Sequence, residues 1–128
     1  MRKLRILIVD DSGAMRKIIE RTIRQAGIEI SEAVEACNGA EGLAQAEKGG
    51  FDIIFSDIDM PVMDGLEFLK NLRQLESAKG VPVVMVTTEG SQARVVEALA
   101  DGAKGYIRKP FTADQVRDKL QVLLGGVI

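Results

Sequence analysis

Ile6-Leu7-Ile8-Val9-Asp10-Asp11 decides how this chain is read. Four consecutive apolar residues leave no polar face, which suits a strand buried on both sides in a parallel sheet. The run stops on two aspartates. Ile53-Ile54-Phe55 repeats the arrangement, leading through Ser56 to Asp57, and Val83-Val84-Met85-Val86 leads to Thr87-Thr88. Two weaker candidates, Ser31 to Ala36 and Gly105 to Arg108, mix polar and apolar residues as sheet edges do; Lys109 follows the second.

Helical patterns lie between these runs. Met15, Ile18, Ile19, Thr22, Ile23 and Ala26 recur at three- and four-residue steps, with Gly27 as terminator. Asn38 with Glu41, Asp64 with Glu67 and Thr112 with Gln115 have the spacing of capping boxes. Ser91 is a further N-cap candidate, for a helix through Ala100 that stops at Gly102. The third helix is expected to carry Leu66, Leu69, Leu72 and Leu75. Strand–helix alternation predicts an α/β fold, a five-stranded parallel (βα)5 sheet with helices on both faces. The strong first, third and fourth strands belong in the centre, which gives the order 2-1-3-4-5. Flavodoxin-like and CheY-like proteins are the standing example of that order. Its rule, that ligands bind beyond the carboxyl ends of the strands where the order reverses, is taken over with it.

Composition narrows the chemistry. With 128 residues, 46% of them hydrophobic, the chain is read as one domain over residues 1–128, with no output domain. Seventeen Lys+Arg against 19 Asp+Glu give a net charge of −2, not the basic surplus that nucleic acid requires. No apolar run has the length of a membrane span or a signal-peptide core. A single cysteine, Cys37, allows no internal disulfide, points to a cytoplasmic location and is read as a small apolar packing residue. The methionines at 15, 60, 63 and 85 are read likewise as packing. There is no histidine, so a Ser-His-Asp triad, a Cys-His pair and nearly all structural zinc sites are excluded. Carboxylates, hydroxyls, lysine and a hard metal ion remain.

The topology brings Asp10, Asp11, Asp57, Thr87, Thr88 and Lys109 to one sheet edge. Two carboxylates about 4 Å apart repel by roughly 4 kcal/mol at an effective dielectric of 20, so the three aspartates need cations. One divalent ion and the Lys109 ammonium would balance them. A few oxygen ligands with positions left for water suit Mg²⁺. A carboxylate in that setting can be a nucleophile toward phosphorus, forming an aspartyl phosphate. A hydroxyl that bonds the phosphoryl group only once it is attached makes a switch. Singly, each residue has an ordinary reading: a capped turn, a strand-end hydroxyl, a surface lysine. Their coincidence on one edge carries the functional one.

The chain resembles the receiver domain of two-component response regulators, in particular the stand-alone, chemotaxis-type members. The likeness rests on Ile8-Val9-Asp10-Asp11-Ser12 with Arg16, Ser56-Asp57-Ile58-Asp59-Met60-Pro61 with Met63-Asp64-Gly65, Val86-Thr87, and Lys109-Pro110-Phe111. It implies that Asp57 accepts a phosphoryl group from a histidine kinase. It implies that Asp11 and Asp57 bind Mg²⁺ directly, with Asp10 acting through water and Asp59 through its backbone carbonyl. Lys109 would pair with the phosphoryl group or Asp57, Thr87 would be the switching hydroxyl, and Tyr106 the aromatic that moves with it. A cis Lys109-Pro110 bond is also implied. The face built from the fourth helix, fifth strand and fifth helix would engage a downstream protein, such as a flagellar motor switch. The chain departs from the family at Thr88, where a small residue is usual. Asp59 adds a negative charge beside the site. Both bear on the lifetime of the phosphorylated state.

Three rival readings fit the sequence less well. Asp57-Ile58-Asp59 matches half the signature of haloacid-dehalogenase-type phosphatases, but follows the third strand rather than the first. A flavin module would need a phosphate-holding loop where Asp10-Asp11 stands. A bare interaction domain would not need Asp11, Asp57, Thr87 and Lys109 together. The expectation is a cytoplasmic, monomeric phospho-acceptor switch that catalyses only its own phosphorylation and dephosphorylation, with no nucleic-acid or membrane partner.

Overall fold

A computed structural model describes residues 3–88 and 92–125. Five strands alternate with five helices: β1 Leu4–Val9, α1 Gly13–Gln25, β2 Ile30–Ala36, α2 Gly39–Glu47, β3 Ile53–Asp57, α3 Gly65–Leu72, β4 Val83–Thr87, α4 Gln92–Ala100, β5 Gly105–Arg108 and α5 Ala113–Leu124. All strand pairs are parallel, in the order β2-β1-β3-β4-β5. The order and the edge positions of β2 and β5 follow the sequence reading.

The central strands are apolar throughout because successive side chains enter two different cores. Leu7, Val9, Ile54, Val83 and Met85 pack on one face with Phe68, Leu69 and Leu72 of α3 and Ala98 of α4. Ile6, Ile8, Ile53, Phe55, Val84 and Val86 pack on the other with Ile19 and Ile23 of α1 and Val116 and Leu120 of α5. β5 alternates buried and exposed residues, as an edge strand should. Among the described residues, no helix is long and apolar enough to cross a membrane.

Of the three expected capping boxes one closes in full, the other two keep only the N-cap bond, and Ser12 adds a cap to α1 that the spacing did not single out. Ser12, Asn38, Asp64 and Thr112 each accept a backbone N–H of the following turn, and Thr112 with Gln115 forms the full reciprocal box. Ser91 lies outside the described residues. Gly27, at φ 85°, follows the α1 cap in the left-handed conformation that favours glycine. Two expectations need correction. Leu75 is not on the third helix: α3 ends at Leu72, and Leu75 sits in the turn beyond, its N–H on the Leu72 carbonyl. Cys37 is not a core residue. It is half-buried, and its thiol donates to Glu41 at 3.1 Å; Glu41 also accepts the Cys37 backbone N–H instead of closing a box on Asn38.

Candidate functional site

Parallel strands that all end at one edge deliver their C-terminal residues to a common place. Asp57 and Thr87 are the last residues of β3 and β4, Asp10 and Asp11 follow β1, and Lys109 follows β5. The topology therefore assembles the site from four segments distant in sequence.

Asp10, Asp11 and Asp57 each bring a carboxylate oxygen within 4.8 Å of the other two. Asp10 is 1% exposed, Asp57 is half-buried and Asp11 is exposed. The Lys109 ammonium lies 3.3 Å from Asp10 and 3.8 Å from Asp57. It thus pairs first with Asp10, a partner that the resemblance did not supply. Asp10 is also fixed by the Ser12 N–H, which donates to its Oδ1 at 2.9 Å. Arg16 from α1 donates to the Asp10 carbonyl at 2.6 Å while its Nε holds Glu35 of β2. For Asp57, Oδ1 accepts the Ile58 N–H at 2.8 Å, and Oδ2 is the oxygen nearest Lys109.

Burial pushes the Asp57 carboxyl up to about 6, and Asp10 and Asp11 add to the rise; Lys109 and the Ile58 N–H oppose it. A carboxylate whose ionised form is disfavoured by burial and by its neighbours is favoured by a nearby cation. The donor set is all oxygen, from short, hard carboxylates, and fits a magnesium-sized ion.

Thr87 is buried, and its hydroxyl donates to the Thr88 carbonyl at 3.2 Å. Thr87, Thr88, Val96, Leu99 and Tyr106 line one cavity of about 280 Å³ between α4 and β5. The strand-end hydroxyl and the partly exposed tyrosine therefore share a space, and Thr88 faces it too. The Lys109-Pro110 bond is cis.

Asp59 is exposed but not an isolated charge. The Arg94 guanidinium of α4 holds both Asp59 and Asp64. Sequence reasoning missed Arg94, and its only signal was a cation placed early in the helix beside the β3–α3 loop. That loop also carries Val62, a β-branched residue at φ 68° and 81% exposed. Gly65 packs against it so tightly that an added Cβ would stand 2.2 Å from the Asp57 carbonyl oxygen.

The family model for the response regulator receiver domain matches residues 6–121. Chemotaxis protein CheY-3 of Vibrio cholerae serotype O1 is 40% identical over 119 residues, 93% of this chain and 90% of that protein. Chemotaxis protein CheY1 of Helicobacter pylori is 38% identical over 123 residues, 95% of this chain and 98% of its own. Among solved structures, the receiver domain of a sensor histidine kinase from Pseudomonas aeruginosa PAO1 superposes with a TM-score of 0.84 at 27% identity, covering 97% of this chain and 99% of its own. That structure is described with a magnesium ion coordinated in the active site cleft.

Proposed function

The chain belongs to the response regulator receiver family and is of the CheY-like kind; from that premise we propose that it is a phospho-acceptor switch in which Asp57 takes a phosphoryl group from the phosphohistidine of a sensor kinase. The observation that carries this is the meeting of Asp10, Asp11 and Asp57 within 4.8 Å, with Lys109 touching two of them.

Asp11 and Asp57 are the residues to hold Mg²⁺, with Asp10 and the Asp59 carbonyl in support. The bound ion would supply positive charge for the phosphoryl oxygens. The chain's own residues do the rest. Asp57 is the nucleophile; the Ile58 N–H fixes one of its oxygens, which leaves the other to meet phosphorus. Lys109, held by buried Asp10, keeps a second cation beside the acceptor. Thr87 gives up one neutral hydrogen bond, to Thr88, when it turns toward a phosphoryl oxygen, a cost of about 1 kcal/mol that a charge-assisted bond exceeds. Vacating that space lets Tyr106 move into the shared cavity, altering the face of α4, β5 and α5 that a downstream protein reads. The switch works as a cytoplasmic monomer and turns over no external substrate beyond its phosphodonor.

Incubation with Mg²⁺ and acetyl phosphate, followed by intact-mass measurement, tests the assignment. Wild type should gain one phosphoryl group and Asp57→Asn none. Equal labelling of the two would overturn it.

A further inference from the structure

Arg94 is a cation beside the site that phosphoryl transfer, as described, does not use. It lies in the first turns of α4, and its guanidinium spans two carboxylates from another part of the chain. Nη1 donates to Asp59 Oδ1, and Nη2 donates to Asp64 Oδ2 at 3.0 Å. Asp59 is two residues past the acceptor. Asp64 is the N-cap of α3, its other oxygen accepting the Glu67 N–H at 2.9 Å. A planar fork with one arm on each carboxylate is a geometry that a lysine point charge does not reproduce. The clasp ties α4 to the loop that leaves Asp57.

Resting on the acceptor reading above, we propose that Arg94 is a positioning residue for phosphoryl transfer: it holds the Asp59 carboxylate and offsets its charge, so that the loop presents Asp57 to an anionic phosphodonor with less uncompensated negative charge. Asp10, Asp11, Asp57, Asp59 and Asp64 gather around this edge, and among the described residues Lys109 and Arg94 are the cations paired with their carboxylates, Arg16 reaching only the Asp10 carbonyl. Together with a divalent ion, the two cations leave the group one negative charge in excess. Removing Arg94 doubles that excess. Asp59 and Asp64 are both substantially exposed, so the effect is felt by an approaching anion more than by the fold.

Acetyl phosphate is the probe. An Asp57 oxygen bonds to phosphorus as the bond from phosphorus to the acetate oxygen breaks; acetate departs with that electron pair, and no proton need move. The measurement is the rate constant of labelling by intact mass with Mg²⁺ present, at low and high salt. The proteins are wild type, Arg94→Ala, Arg94→Lys, Asp59→Asn and the double variant Arg94→Ala/Asp59→Asn, with urea midpoints as a folding check. At low salt Arg94→Ala should label about two- to fourfold more slowly, the scale of one unit charge acting on a dianion about 10 Å away in water, and high salt should shrink the deficit. Asp59→Asn alone should label faster. The double variant has the wild-type charge balance and should recover most of the rate, and Arg94→Lys should recover part. Equal rates for wild type and Arg94→Ala at low salt, or a deficit that neither salt nor Asp59→Asn reduces, would overturn the proposal while leaving Asp57 as acceptor. Failure of wild type itself to label would overturn the acceptor reading and this proposal with it.

Discussion

Replacing Asp57 with asparagine should make the metal-free protein more stable at neutral pH. The three carboxylates lie within 4.8 Å of one another, and Lys109 is 3.8 Å from Asp57. At an effective dielectric of 20, each carboxylate pair at that separation repels by about 3.5 kcal/mol, and the lysine contact returns about 4. Burial is the larger destabilising cause: it raises the carboxyl to about 6, with Asp10 and Asp11 adding to the rise and Lys109 opposing it. Solvent reaches Asp11 and part of Asp57, so the net gain on substitution should be about 1–2 kcal/mol. Asparagine keeps an oxygen for the Ile58 N–H. The sign with pH follows from the direction of the shift. An acid whose folded pKa lies above its unfolded value binds more protons when folded, so its contribution to stability is lost as pH rises from about 4 to about 6. Urea unfolding in chelator should therefore show Asp57→Asn ahead of wild type at pH 7 and level with it near pH 4. Added Mg²⁺ should close the gap at pH 7 by stabilising wild type more. A variant no more stable than wild type at pH 7, or equally favoured at both pH values, would refute the reasoning.

Four other substitutions test the loops around the site and their surroundings. Val62→Asn should raise urea stability by about 1 kcal/mol, since asparagine tolerates φ 68° better and an 81% exposed valine packs on little; a lower midpoint would count against stored backbone strain there. Gly65→Ala should cost about 3 kcal/mol and abolish acetyl phosphate labelling, because the new Cβ meets backbone atoms of Asp57 and Ile58, whereas Gly80→Ala, with nothing within 4 Å, should be neutral in both assays. Lys109→Met should destabilise the metal-free protein by about 2–4 kcal/mol, by leaving Asp10 buried without its cation, and Mg²⁺ should restore part of the loss; an unchanged midpoint would show that Asp10 does not depend on it.

The strands were legible because a strand covered on both faces must be apolar at every position, as Ile6–Val9 and Val83–Val86 are. Their order then brought Asp10, Asp11, Asp57, Thr87 and Lys109 to one edge with no contact known in advance. What stayed hidden depends on side-chain reach. Arg94 finds Asp59 and Asp64 across 35 and 30 residues, and nothing in the periodicity of α4 names them. Lys109 chooses Asp10 over Asp57 by half an ångström. Leu75 continues the leucine spacing of α3, with no proline or glycine between Leu72 and Leu75 to mark a stop. The chain turns there nonetheless, and Arg73 closes the turn by donating to the Lys79 carbonyl. Cys37 has an apolar residue's size, but Glu41 one helical turn on offers its thiol an acceptor.

Asp10 and Lys109 are separated by 99 positions, yet hold each other's charge. A chain growing from its N-terminus exposes the acidic trio long before the ammonium that steadies it has been synthesised. The pairing of β5 with β4, and the Lys109 N–H on the Thr87 carbonyl at 2.6 Å, bring that ammonium home only when the last strand docks. Half-made or nicked molecules would thus carry the acceptor without its counter-charge, and competence to be modified would arrive as a certificate of completed folding.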